Sequence, residues 1–410
     1  MATSNGNAVR PQPGSFQEAL SGRENDSKHH IAGSLAAQTP PTNGRGSPRL
    51  RQFHELPSKG FWNDVVTMRW MRRPSSSIKM LGAPVLFWFN WTLVAPHVDN
   101  PWRHLLFVSK RLPDSAQGVP MYAKSYWDIA FVAYYVIVFS FIRQSLTIYF
   151  LKPLARYYGI KKEGKLDRFA EQGYAIIYFV CSGSLGLWTM YNYLPTWYFR
   201  TQYFWIDYPY AHMPGTVKPY YLLQSAYWLQ QFLLLVLRIE KPRSDFAELV
   251  AHHIVTLWLI GWSYLTNLTP IGNAIFLTMD WSDVFLALSK CFNYLQMEKT
   301  KTVAFAWFTG VWTYTRHYLN IVILYSVWTE WDLIPSQSKV WDPMNGLWMP
   351  KWVKYQIFIP ILLLQFINLF WYFLIWRILL RAIFSSNLDD ERSDDEDEDA
   401  EPRAKKSKKE

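Results

Sequence analysis

Cysteine is nearly missing from this chain of 410 residues: Cys181 and Cys291 are its two, and both fall inside apolar stretches. Two such thiols form neither a disulfide framework nor a metal-ligand spacing, and read as small buried side chains. A cleavable signal peptide is not expected either, because residues 1–50 are rich in Ser, Gly, Pro, Asn and Arg and have too few large apolar side chains to fold alone. The short alternating segments of a membrane barrel are not found. No internal repeat relates one half of the chain to the other, which counts against many secondary-transporter folds.

What is present is long apolar sequence. The mean hydropathy of −0.08 looks like that of a soluble protein, but polar tails lower it, and hydropathy scales rate the 22 Trp and 25 Tyr as barely apolar. Those aromatics cluster near the ends of apolar runs, as interfacial belts do. A membrane-crossing helix needs about 20 mostly apolar residues. Such segments occur at 79–97, 126–150, 169–193, 218–238, 246–267, 271–295, 302–328 and 355–384. The expected fold is therefore all-α: a polytopic membrane helix bundle of about eight spans with disordered polar termini. "GFWNDVVTMRWMRRP" (60–74) reads as a short interfacial helix on anionic lipid. The end of the chain is an acidic block followed by a basic one, "NLDDERSDDEDEDAEPRAKKSKKE", which is expected to be solvated. Ser393 within it suits an acid-directed kinase.

Orientation follows from the short loops. Lys152, Arg156, Lys161, Lys162, Lys165, Arg168, Lys241, Arg243, Lys299 and Lys301 fall on one side, which the positive-inside rule makes cytosolic. Eight spans then leave both termini in the cytosol. The sequons at Asn25, Asn90 and Asn267 are expected to go unused, being on the wrong side, within a span, or against the membrane.

Ionisable groups at membrane depth are costly unless paired or hydrated, and so are functional candidates. In 241–265, Asp245, Glu248, His252 and Thr256 lie at helical spacing on one stripe, and D-x-x-E fits a capping box at the helix start. His253 points roughly 100° away from His252. In "TMDWSD" (278–283), Asp280 and Asp283 share a face one turn apart. The following span has Arg316, His317 and Asn320, at a depth that lets Arg316 pair with one of the aspartates. Adjacent histidines are a poor metal site, since zinc-binding helices space ligands i, i+4. An acid–base or nucleophilic centre within a membrane cavity is the better reading; buried structural pairs and core histidines are the plain alternative.

The stretch "KPRSDFAELVAHHIVTLWLIGWSYLTNLTPIGNAIFLTMDWSDVFLALSKCFNYL" (241–295) resembles the signature motif of the longevity-assurance ceramide synthases. The likeness continues through "YTRHYLNIVILYSVWTE" (314–330), and the acidic tail resembles that of fungal members. Trp281 stands where a smaller aliphatic residue is usual, and the homeobox-like insert of many animal members is missing. The resemblance implies a TLC domain over 169–384. A polar tail (1–59), an interfacial helix with two spans (60–168) and a charged tail (385–410) would complete the chain. It implies N-acylation of a sphingoid base by a fatty acyl-CoA in the endoplasmic reticulum, with no cofactor beyond that co-substrate. A small single-pass subunit, dimerisation with itself or a paralogue, and no nucleic acid are its implied partnerships.

The chemistry suits these residues. A thioester is already activated, whereas a sphingoid ammonium must first lose a proton, which a histidine can accept. His252 and His253 are the joint candidates, either as general base or as a nucleophile giving an acyl-imidazole. Asp280 or Asp283 would orient the histidine or bind the ammonium, and Arg316 would hold an aspartate ionised. Lys241 and Arg243, with the other loop cations, would meet CoA phosphates. The loop 331–352 is a candidate cap on an acyl tunnel. A non-catalytic TLC-domain lipid-binding or lipid-transport protein is the alternative, with a proton-coupled transporter behind it.

Overall fold

The computed structural model describes residues 57–113, 119–239 and 245–385. The two tails, Ser393, and the pair Lys241 and Arg243 lie outside them. Twelve helices occur among the described residues. Helix α1 (Phe61–Val66) and a 3₁₀ turn (Arg69–Arg72) precede α2 (Pro74–Val94). After the short α3 (Arg103–Leu106), α4 (Trp127–Leu146) continues through a π-turn (Thr147–Leu151) into α5 (Lys152–Tyr157). Helices α6 (Glu163–Tyr193), α7 (Val217–Val236), α8 (Phe246–Leu265) and α9 (Thr269–Tyr294) follow. Then α10 (Glu298–Trp312) runs through a second π-turn (Thr313–Leu319) into α11 (Asn320–Thr329), and α12 (Val353–Ser385) ends the bundle. Two antiparallel ribbons decorate it: β1 (Met121–Tyr122) with β2 (Met213–Pro214), and β3 (Trp341–Asp342) with β4 (Leu347–Trp348).

Local sequence explains several of these boundaries. Pro74 and Pro270 sit in the first turns of α2 and α9, where a missing N–H costs nothing. Asn267, with φ +63°, makes the left-handed corner between α8 and α9, a conformation Asn tolerates better than most residues. It is buried and donates from Nδ2 to the Gly346 carbonyl at 2.8 Å, so its sequon has no accessible amide. The expected interfacial helix at 60–74 is instead two pieces, because Met68 adopts φ +55° between them. Asp64 locks those pieces to α2 by accepting from Ser58 (2.9 Å), Arg73 (2.9 Å) and Ser76 (2.7 Å). Burial alone would raise its pKa, but those hydrogen bonds outweigh it and hold the carboxyl at about 2. Trp62 and Val66 stay exposed on the other side, as a segment resting on lipid requires.

Five helical stretches are long and apolar enough to cross a membrane: Trp127–Tyr157, Glu163–Tyr193, Phe246–Leu265, Thr269–Tyr294 and Val353–Arg381. The chain is a multi-pass membrane protein. The other three expected spans are helical, as α2, α7 and α10–α11, but fall short by composition. In α7 the cause is Lys218, Gln224 and Gln230, and in α10–α11 it is Arg316, His317 and Asn320, all turned inward and buried.

Helix α9 is the central post, with every side chain from Thr266 to Asp280 buried. It packs along α6 and α10, while α8 packs on α7 and α12. Because lipid is as apolar as Leu, such helices associate through close packing and polar links rather than hydrophobic burial. Gly183 makes room for the Trp281 indole and Gly186 for the Tyr220 hydroxyl; Trp281 packs partly buried between the two largest apolar clusters. The chief polar link is Lys218, wholly buried, whose Nζ lies 2.8 Å from Asp128 Oδ1 and donates to the Ser109 and Ala123 carbonyls. The other carboxylate oxygen of Asp128 accepts from Tyr264 at 2.8 Å. Satisfied on every side, this buried pair ties α4, α7 and α8 together at one end.

Candidate active site

Helix α8 starts at Phe246, but not through the expected capping box: the Asp245 side chain makes no cap hydrogen bond. Its Oδ2 accepts instead from Trp371 Nε1 of α12 at 3.2 Å, and this pins Trp371 beside His252. Both motif histidines are buried. The rings stand edge to face with centroids 5.6 Å apart. Trp228 of α7 abuts both, at 5.8 Å from His252 and 5.7 Å from His253. Trp371 covers His252 on the other side at 5.3 Å.

The roughly 100° between successive helix positions sends the two imidazoles into different cavities. His252 borders a pocket lined almost wholly by apolar side chains, among them Leu259, Ile260, Ile275, Phe276, Ile361 and Leu364. From His252 to Ser263 this pocket follows α8 for about 16 Å at 1.5 Å per residue. His253 borders a polar cavity of 240 Å³, with Arg143, Arg168, Gln172, Gln231 and Asp283 in its wall. That is ample room for water, which needs about 10–15 Å³ per molecule and polar partners. Trp228 belongs to both linings.

His253 Nδ1 lies 2.8 Å from the Leu249 carbonyl. A carbonyl only accepts, so in the neutral ring Nδ1 carries the proton and the lone pair is left on Nε2. His252 Nε2 is 3.5 Å from Thr256 Oγ1, and its Nδ1 is buried without a hydrogen-bond partner. Among the described residues no hydrogen bond joins either aspartate to either histidine. A backbone carbonyl, not a carboxylate, orients His253.

The two aspartates diverge. Asp283 reaches the polar cavity and is held by Arg316, with Nη2 to Oδ1 at 2.6 Å. The guanidinium also donates to Ser282 Oγ (2.6 Å), Asn368 Oδ1 (3.2 Å) and the Met279 carbonyl (3.3 Å). It lies over the Trp312 ring at 4.1 Å. The π-turn that presents it is a form common at functional sites. Asp280 is fully buried and borders neither cavity; its Oδ2 accepts from Ser182 (2.8 Å) and Gln224 (2.7 Å). The ion pair expected at this depth is therefore Arg316 with Asp283, and Asp280 belongs to the α6–α7–α9 packing. His317 is a core histidine, accepting at Nδ1 from Gln365 at 2.7 Å.

Of the loop cations, Arg168 borders the polar cavity while paired with Glu171 at 3.1 Å. Lys301 is taken up by Glu298 at 2.8 Å and Asn293 at 3.2 Å. Trp228, Trp371, Gln224 and Arg143 also surround the motif residues. Gln224 and Arg143 give the same signal as the motif residues, polarity inside a span; the two tryptophans give none, because Trp is everywhere in this chain.

Tyr221 shapes the apolar pocket, its hydroxyl bonded to Ser263 Oγ. A Cβ on Gly272 would clash with that hydroxyl, so the fully buried Tyr221 would have to shift toward the pocket it lines. Gly272→Ala is expected to cost about 1–3 kcal/mol through overpacking and to narrow the pocket. Thermal unfolding in detergent checks the first effect. The second should appear as a larger activity loss with the longest acyl chains than with short ones.

A TLC domain profile matches residues 168–377. Sphingosine N-acyltransferase lac1 of Schizosaccharomyces pombe is 41% identical over 321 residues, covering 78% of this chain and 81% of that protein. Ceramide synthase LAG1 of Saccharomyces cerevisiae is 43% identical over 319 residues, covering 76% and 74%. The sphingosine N-acyltransferase-like protein FUM17 of Gibberella moniliformis is 38% identical over 295 residues, covering 71% and 75%. With its helical membrane bundle and paired intramembrane histidines, the chain belongs to the TLC-domain family and, within it, to the ceramide synthases, or sphingosine N-acyltransferases.

Proposed function

We propose that this protein transfers a fatty acyl group from acyl-CoA to the amine of a sphingoid base, releasing ceramide, CoA thiol and a proton. The observation that supports it best is the divided site: one imidazole on a long apolar pocket, its neighbour on a polar cavity. The acyl tail would lie along the first, with the thioester carbonyl brought to His252. The polar heads fit the second, where the Nε2 lone pair of His253 can take the ammonium proton. Asp283, paired with Arg316, would draw the ammonium in. Asp280 acts through packing, as a positioning residue. Arg168, with Lys241 and Arg243 from outside the described residues, would meet the CoA phosphates.

The remaining expectations complete the proposal. Eight spans, with α2, α7 and α10–α11 joining the five apolar ones, place both termini in the cytosol of an endoplasmic-reticulum protein. The domain division is 1–59, 60–168, 169–384 and 385–410. No cofactor is required beyond the acyl-CoA co-substrate. A small single-pass subunit and dimerisation with itself or a paralogue complete the assembly.

The test is acyl transfer by the purified full-length chain in detergent, with dihydrosphingosine and acyl-CoAs of several lengths. Ceramide formation is expected. A stoichiometric burst of CoA release without the sphingoid base, lost in His252→Ala, would assign His252 as an acyl carrier; no burst in wild type would favour general-base catalysis alone. Failure to form ceramide, with a small subunit supplied, would favour non-catalytic lipid binding.

A further inference from the structure

Trp228 is the one side chain among the described residues that lines both cavities and meets both motif histidines edge to face. It is buried, and its Nε1 has no hydrogen-bond partner, so the indole is placed by packing rather than by a polar anchor. Tyr227 meets it edge-on at 5.7 Å and Phe179 at 6.4 Å, and both also line the polar cavity. Trp371 also meets His252 edge to face, at 5.3 Å. An aromatic wall therefore stands between a space roomy and polar enough for water and the apolar pocket beside His252.

Such a wall answers a specific chemical hazard. A thioester, or an acyl-imidazole made from it, reacts with water as well as with an amine, and water is in far greater supply. Excluding water from a reactive intermediate is a recognised task of enzyme sites. The sphingoid base reaches the carbonyl past the edge of the indole, guided by its ammonium at Asp283 and by a hydrocarbon chain; water from the polar cavity has neither guide. We propose that Trp228 is a positioning residue that keeps cavity water from the acyl carbonyl and so commits the acyl group to the amine. This rests on the synthase reading above. When the wall is opened, the competing reaction is hydrolysis: water adds to the carbonyl, the C–S bond breaks, and fatty acid and CoA thiol leave in place of ceramide.

The experiment compares wild type, Trp228→Phe and Trp228→Ala, each as the full-length chain in detergent, given radiolabelled acyl-CoA with and without dihydrosphingosine. Free fatty acid and ceramide are measured in the same tube, so their ratio is independent of how much protein has folded. The expected result is a ratio raised at least about tenfold in Trp228→Ala, with CoA released steadily in the absence of base. Trp228→Phe, which keeps an aromatic wall, should stay within a few-fold of wild type. An unchanged ratio in Trp228→Ala overturns the proposal, as does loss of both products in the two variants. If wild type itself forms no ceramide, the synthase reading falls and this inference with it; ceramide from wild type with an unmoved ratio removes only the role of Trp228.

Discussion

His252→Ala is expected to lower ceramide formation by about 10²–10⁴-fold, the usual worth of a positioned proton-transfer group, and further if the ring carries the acyl group. The reason is placement. His252 borders the long apolar pocket, and its Nδ1 is not committed to any protein partner among the described residues. Folding should survive, because the ring makes only one long hydrogen bond, to Thr256 at 3.5 Å. His253→Asn makes the natural companion. An amide in that position can still donate to the Leu249 carbonyl that the Nδ1 of His253 meets, yet it cannot accept the ammonium proton. Steady-state rates with saturating acyl-CoA and dihydrosphingosine, beside a thermal melt of each variant, check both. Near-normal turnover in His252→Ala would move the chemistry away from this ring.

The second large effect is on stability. Arg316→Leu leaves Asp283 in the protein interior without its cation, and breaking a buried pair from one side costs about 3–5 kcal/mol. The Ser282 hydroxyl, the Asn368 amide oxygen and the Met279 carbonyl lose a donor at the same time. Arg316→Lys should fall between, since one ammonium cannot serve four acceptors in a fork. Removing both charges, Arg316→Leu with Asp283→Leu, should recover much of the stability while leaving acyl transfer impaired, because Asp283 borders the polar cavity. Thermal unfolding in detergent and the acylation assay separate the two consequences. A single variant as stable as wild type would mean the carboxylate finds another partner.

These two residues illustrate how far the sequence alone reaches. Helical spans, polar positions within them, and the angle between His252 and His253 all follow from periods local to one helix. So did the depth that brings Arg316 level with the two aspartates. Which aspartate it meets did not follow, because partners on different helices are set by how α9 and the π-turn before α11 rotate against each other. A capping box was legible at Asp245, yet its carboxylate is taken by Trp371, more than a hundred positions along the chain.

The sequence by itself determined that this is an all-α membrane protein with its ionisable groups concentrated in three consecutive helices. It determined also that the histidines face different ways, since apolar run length and helical period need no tertiary partner. Only the tertiary structure decided what each histidine faces. The two cavities are bounded by side chains from several helices, and the wall between them is a single indole of α7 that nothing in its own segment distinguishes from the chain's other tryptophans. Cavities are made by what neighbouring helices leave unfilled, and that is a property of the packing, which no one helix encodes.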